Sequence, residues 1–303
     1  KNDGDFYFAQ FDGQLIQLSI SEIITENCGK WVESNLKLNR LPRIYPNDSH
    51  SKGDYLNLVQ KAVNSCKNNV LEKVVLSRTK AHKLSSVSPV KMFHKLCEEY
   101  PLASVYMILI DGFTMWIGAT PECLMELNGD SFRTMSLAAT RPINFDGKWG
   151  IKEKEEQELV TRDIVQMLDA LGCQRINVGD LKTLAAGPVE HLCSFIEAFH
   201  PLNNAVKTAR SLHPTPAVGG LPRAQSKAFI LQQENYNRSF YSGYFGWEKD
   251  NRSIFYVNLR CMEIGSNGIL SYAGAGITSK SKPEDEWNET EEKLKTLHRV
   301  ILE

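Results

Sequence analysis

Runs of β-branched and aromatic residues predict strands at residues 74–77, 104–110, 254–259 and 268–272. Turn pairs such as Asp111-Gly112 and Asn267-Gly268 adjoin several of them and favour antiparallel hairpins and meanders. A period near 3.6 predicts helices over residues 55–66, 89–99, 152–171, 222–233 and 283–301, several opened by an acid, Ser or Pro. Strands and helices come in blocks without strict alternation. The expected fold is therefore α+β, or layered α/β with large, mainly antiparallel sheets, and a doubly wound Rossmann fold is disfavoured. No solenoid-period repeat, low-complexity tract or long Pro/Gly/Ser linker divides the chain. One catalytic domain is expected over residues 53–303. Residues 1–52 read as the end of an N-terminal segment packed on that core, joined at 41–53.

The 303 residues are 42% hydrophobic and 23% charged, ordinary globular usage that excludes disorder as the main state. A formal net charge of −1 supplies no global field for nucleic acid or an anionic membrane, so any anionic ligand needs a local cationic cluster. No apolar run reaches the length of a membrane span. Cys28, Cys66, Cys97, Cys123, Cys173, Cys193 and Cys261 never fall in a C-x-x-C spacing, and a reducing cytoplasm is the expected location. The chain opens at Lys1 without a Met and without a signal-peptide pattern, which reads as a fragment or a processed form.

Glu153 and Glu156 on one predicted helix, and Glu286 and Glu289 on another, are each three apart and share a face. Two such faces either make a hard oxygen cage suited to Mg²⁺ or are simply solvated, with Lys152, Lys154, Lys293 and Lys295 beside them. Lys73 shares a strand face with Val75 and Ser77; it either snorkels to solvent or enters an apolar layer where a neutral amine could act as base. Residues 272–277 (YAGAGI) leave a strand into an expected small-residue turn, with or without an anion on its N–H groups. The 212–220 run (LHPTPAVGG) reads as a shaped loop. Arg260, at the end of an apolar strand, pairs with either a ligand carboxylate or a structural acid. His191 reads as a core histidine or a site residue.

Together, EKVVLSR (72–78), ATPECL (119–124), LHPTPAVGG (212–220), NRSFYSGYFGW (237–247), LRCMEI (259–264) and YAGAGITSKSKPEDEWNETEEKL (272–294) resemble the chorismate-utilising enzymes. That family includes isochorismate, salicylate and anthranilate synthases and aminodeoxychorismate synthase component I. The resemblance spans about residues 53–303 and implies a chorismate-binding fold of two large antiparallel sheets flanked by helices, with the site between them. It implies Mg²⁺ bridging Glu156, Glu289 and a chorismate carboxylate, supported by Glu153 and Glu286. It also implies carboxylate contacts from Arg260, Tyr241, Lys293 and the backbone of Gly274, Ala275 and Gly276, with Thr140, His191 and Thr215 near the ring. Lys73 matches the base of the water-using members and Glu122 the acid that protonates the departing hydroxyl, which implies isochorismate synthesis; Lys73 would have to be neutral and Glu122 protonated. Salicylate synthase, using the same residues, is the alternative, and anthranilate synthase component I a more distant one. Ala138 stands where aminodeoxychorismate synthases carry a nucleophilic lysine. Three departures accompany the match: Ala139 replaces a customary Gly, Gln157 a customary His, and the 141–152 connection is short. The expected partner is chorismate alone, in a monomer or weak homodimer serving menaquinone or siderophore synthesis.

Overall fold

A computed structural model describes residues 4–23, 40–44, 47–83, 88–143, 145–186, 189–200 and 204–301. Lys1, Cys28 and parts of the 1–52 segment lie outside the described residues. In chain order the elements are β1 (Asp5–Ala9), β2 (Leu15–Ser19), α1 (Lys52–Lys67), β3 (Lys73–His82), α2 (Pro89–Glu99), β4 (Ser104–Ile110), β5 (Thr114–Thr120), β6 (Cys123–Asn128), β7 (Ser131–Pro142), α3 (Ile151–Ala170), β8 (Gln174–Val178), β9 (Lys182–Ala186), β10 (Val189–Phe199), α4 (Ala205–Leu212), β11 (Gly220–Leu221), α5 (Arg223–Gln233), β12 (Tyr244–Lys249), β13 (Arg252–Val257), β14 (Cys261–Gly265), β15 (Gly268–Ile277) and α6 (Pro283–Ile301). The five helices predicted from periodicity are all present, within a few residues of their expected ends.

Two antiparallel sheets carry the fold. The larger runs β2-β1-β12-β13-β6-β7-β10-β8, with β9 also paired to β10; the smaller runs β11-β3-β15-β14-β5-β4. The β4–β5 and β14–β15 hairpins turn at the Asp111-Gly112 and Asn267-Gly268 signals. β1 pairs with β12 from Asp5↔Glu248 to Ala9↔Tyr244, so the N-terminal segment supplies an edge of the large sheet.

Each helix is held by its apolar stripe. Val160, Ile164 and Leu168 of α3 pack with Leu124, Phe132 and Ile196 of the large sheet. Each fully buried aliphatic side chain contributes about 1.5–3 kcal/mol. Tyr55, Leu58, Val59 and Ala62 of α1 pack with Val74, Leu76 and Ala275 of the small sheet, and Leu297, Val300 and Ile301 of α6 pack with Ile117 and Met262. Ser51 and Ser88 cap α1 and α2 through their hydroxyls, satisfying N–H groups that the helices leave free.

β15 differs from its expectation. Residues 272–277 form no turn; they continue the strand, paired to β3 from Tyr272↔Thr79 to Ile277↔Val74. The small residues serve close packing instead: a Cβ at Gly274 would stand 2.9 Å from the Tyr241 hydroxyl and 3.0 Å from the Leu76 carbonyl oxygen. Arg260 likewise does not end a strand; β13 stops at Val257, and Arg260 lies in the connection to β14. No helix among the described residues is long and apolar enough to cross a membrane.

Candidate active site

The chain passes directly from one sheet to the other at two neighbouring places. Pro121-Glu122 joins β5 of the small sheet to β6 of the large one, and residues 258–260 join β13 of the large sheet to β14 of the small one. The crossings are pinned together: Val257 N–H donates to the Glu122 carbonyl at 3.0 Å, the Thr120 hydroxyl donates to the Val257 carbonyl at 2.7 Å, and Asn258 Nδ2 donates to the Phe240 carbonyl at 2.9 Å. Glu122 and Arg260 are thereby fixed at the sheet junction, where both line one cavity. β7 and β10 supply Thr140 and His191, β15 supplies Gly274 and Gly276, α3 supplies Glu156, and α6 supplies Glu289 and Lys293.

Glu122 is 3% exposed. Burial pushes its carboxyl up to about 8, against the opposing pull of Lys73, Thr215 and Lys293. It is therefore mostly protonated at neutral pH, as its expected role requires. Among the described residues Thr215 Oγ1 is buried with no partner in good hydrogen-bonding geometry, yet its hydroxyl is near enough to Glu122 to favour the ionised carboxyl.

Lys73 is fully buried and does not itself line the cavity. It lies behind Gly276, where a Cβ would collide with the Glu156 carboxylate and stand 3.1 Å from Lys73 Cε. Its Nζ lies 2.9 Å from Glu156 Oε1, so the amine that the expected base would offer to water is engaged by a carboxylate here. Although burial pushes the Glu156 carboxyl up, Lys73, Lys152 and Lys293 together hold it below the ordinary carboxylate range. An expected metal ligand and the expected base are thus bonded to each other.

The four glutamates do not form one cage. Among the described residues no three acidic, histidine or cysteine side chains converge as a metal site. Glu156 and Glu289 both line the cavity. Glu153 folds back on its own helix start, where a Cβ at Gly150 would collide with its Oε2. Glu286, 1% exposed, accepts from Lys152 Nζ at 2.8 Å; burial and then the charge of Glu289 push its carboxyl up to about 7. Lys293 neutralises Glu289 at 2.8 Å and also donates to the Gly274 carbonyl at 2.8 Å. Each inward carboxylate therefore carries a lysine. Glu156 and Glu289 bring two hard oxygen donors to the cavity from α3 and α6, the donor type that suits Mg²⁺, which takes one or two protein carboxylates together with substrate oxygens.

Ala275 faces away from the site. Its methyl packs in the α1 cluster, and strand alternation directs its peptide groups into the ladder with Leu76. Gly274 and Gly276 have theirs on the opposite edge, consistent with the Lys293 bond to the Gly274 carbonyl. Tyr241 stacks on Tyr272 at 5.2 Å, and both line the cavity. Sequence reading missed Tyr272, Leu137, Val218 and Leu259, which form the apolar wall, because apolar residues in strands and loops read equally as core. It also missed Lys152 as the counter-ion of Glu286. The short 141–152 connection is braced by Arg141, whose guanidinium lies 3.9 Å from the Trp149 ring and donates to the Gly147 carbonyl at 2.8 Å.

Ala139 has φ of +57°, in the left-handed region that the customary glycine would adopt without strain. The register between β7 and β10 shifts here, with His191 alone opposing Ala139 and Thr140. Ala139→Gly is expected to raise stability by about 0.5–1 kcal/mol, since the left-handed backbone costs an L-residue about 1–2 kcal/mol and glycine returns part of that as entropy. Ala138→Gly, which removes a buried core methyl, should lower it by about 1 kcal/mol. Urea midpoints of the two variants check the contrast; equal losses would contradict it.

A family model described as chorismate binding enzyme matches residues 17–302. The chain is 33% identical over 263 residues to isochorismate synthase MenF of Escherichia coli strain K12, a match covering 82% of this chain and 60% of that protein's length. The solved structure of menaquinone-specific isochorismate synthase MenF from Escherichia coli superposes with a TM-score of 0.82 at 26% identity, over 99% of this chain and 79% of that one. Anthranilate synthase component I from Streptococcus pneumoniae shares the fold, with a TM-score of 0.78 at 19% identity over 98% of this chain and 80% of that one.

Proposed function

The chain belongs to the chorismate binding enzyme family, and from that premise we propose that it is an isochorismate synthase. The observation that carries the reading is Glu122, a carboxyl held protonated up to about pH 8 in a cavity that also presents the buried Arg260 guanidinium. A protonated carboxyl beside cationic groups suits an anionic substrate that must lose a hydroxyl.

Chorismate carries two carboxylates, and Arg260 receives one of them. Glu122 gives its proton to the departing C4 hydroxyl, which leaves as water. Lys73 accepts a proton from the water that adds at ring C2 while the ring double bond shifts, so one water enters and one leaves. For this, Lys73 must first leave its ion pair with Glu156 and release one ammonium proton to solvent, so that a nitrogen lone pair meets the incoming water. Bound by Glu156 and Glu289, Mg²⁺ would supply the positive charge that lets a substrate carboxylate approach them. Tyr241 and Thr140 shape the pocket around the ring, while Thr215, which does not line the cavity, sits behind Glu122.

The test is product analysis by chromatography after incubation with chorismate and Mg²⁺, without and then with ammonium. Isochorismate in both is expected. Salicylate with pyruvate would move the assignment to the lyase, and an aminated product only with ammonium would overturn the role of Lys73. Glu289→Gln should raise the Mg²⁺ concentration for half-maximal rate at least about tenfold, by loss of one anionic donor. An unchanged Mg²⁺ titration would remove Glu289 from the metal site.

A further inference from the structure

Arg260 is a buried cation. Its backbone sits at φ of +46°, a strained conformation for a side chain that the sheet crossing nonetheless fixes. Nη1 of its guanidinium donates to the Ala186 carbonyl, and Nη2 lies 2.6 Å from His191 Nε2. Among the described residues no carboxylate pairs with it.

An arginine cannot accept a hydrogen bond, so His191 Nε2 must carry the lone pair. The other ring nitrogen gives the same answer independently. Nδ1 lies 2.8 Å from the Ala139 carbonyl oxygen, which can only accept, and 3.1 Å from Thr140 Oγ1. His191 is therefore the neutral tautomer with its proton on Nδ1. Burial, followed by the charges of Arg260 and Lys293, pushes its pKa well down and keeps it neutral. The left-handed backbone at Ala139 and the register shift beside it leave that carbonyl facing the ring.

We infer that His191 is a positioning residue for Arg260, a neutral acceptor, locked by the Ala139 carbonyl, that aims the guanidinium at a substrate carboxylate without cancelling its charge. An aspartate or glutamate in the same place would orient the arginine equally well but neutralise it. The inference rests on the proposed role of Arg260 as a carboxylate receptor. With its lone pair bonded to Arg260 and its proton to Ala139, His191 has neither to give to the reaction.

The test has a ligand-free arm and a binding arm. ¹⁵N NMR of histidine-labelled protein, assigned by loss of the signal in His191→Phe, should show the neutral Nδ1–H tautomer at pH 6 to 8. An Nε2–H tautomer or a charged ring would overturn the inference whatever the substrate proves to be. In calorimetry with chorismate and Mg²⁺, His191→Phe should weaken binding about 10- to 100-fold, the worth of a hydrogen bond to a charged group. In turnover the loss should fall mainly on KM. His191→Gln, whose amide oxygen can accept from Arg260, should recover part of it and guards against a folding defect in the Phe variant. In an Arg260→Ala background, His191→Phe should cost little further affinity. An equal loss in both backgrounds, or a loss confined to kcat with a shifted pH profile, would refute positioning. Normal NMR and coupling with a product other than isochorismate would retain the inference and reject only the proposed reaction.

Discussion

Glu122→Gln is expected to lower kcat about 10²- to 10⁴-fold, the usual contribution of a positioned general acid, with little change in chorismate affinity. Glutamine fills the same volume and can still donate a hydrogen bond, but it has no proton to transfer to a leaving hydroxyl. The wild-type profile supplies a second signature. Because burial raises the Glu122 carboxyl to about 8, the acid holds its proton below that pH and loses it above, so kcat should fall as pH rises through about 8. That descending limb should vanish in the variant. Stability falls with pH in the same sense as activity. A raised carboxyl pKa contributes stability that is present in full below the unfolded-state value and is lost as pH rises through about 8. Glutamine has no such loss, so the variant should match or exceed the wild type in stability at pH 8. Normal kcat in a folded Glu122→Gln protein would remove Glu122 from the chemistry.

Lys73→Ala is expected to reduce turnover by a comparable factor and, unlike the first variant, to destabilise the fold. Lys73 and the Glu156 side chain are almost wholly buried, and removing one partner of a buried ion pair costs about 3–5 kcal/mol. Lys152 and Lys293 also act on Glu156, so the cost should lie at the lower end of that range. Lys73→Gln separates the two effects: it retains a donor for Glu156 while removing the amine that accepts a proton. Denaturation midpoints together with kcat distinguish the roles. Recovery of stability in the Gln variant without recovery of turnover is the expected pattern, and recovery of both would make Lys73 structural only.

Much of the fold was legible because its helices carry one-sided apolar stripes and its hairpins turn at Asp-Gly and Asn-Gly. β7 and β10 were not read as strands: Ser136, Thr140, His191 and Ser194 interrupt any simple alternation, since one end of each strand faces a polar cavity. The short α4 was also missed; with eight residues it gives too brief a periodic signal. At the site, residue identities were legible and their pairings were not. Glu153 and Glu156 share a helical face in sequence, yet one closes on its helix start and the other on Lys73.

The sequence by itself determined the element types, the antiparallel layering and the set of acids and bases, because these follow from side-chain periodicity and residue chemistry. Only the tertiary structure decided which charges meet. Both sheet crossings bring Glu122 and Arg260 to one junction, and two helices from distant parts of the chain bring Glu156 and Glu289 to one cavity. Burial there raises Glu122, a lysine settles on each inward carboxylate, and His191 rather than an acid faces Arg260. Protonation and pairing depend on distance and desolvation, and neither is a property of a residue's place along the chain.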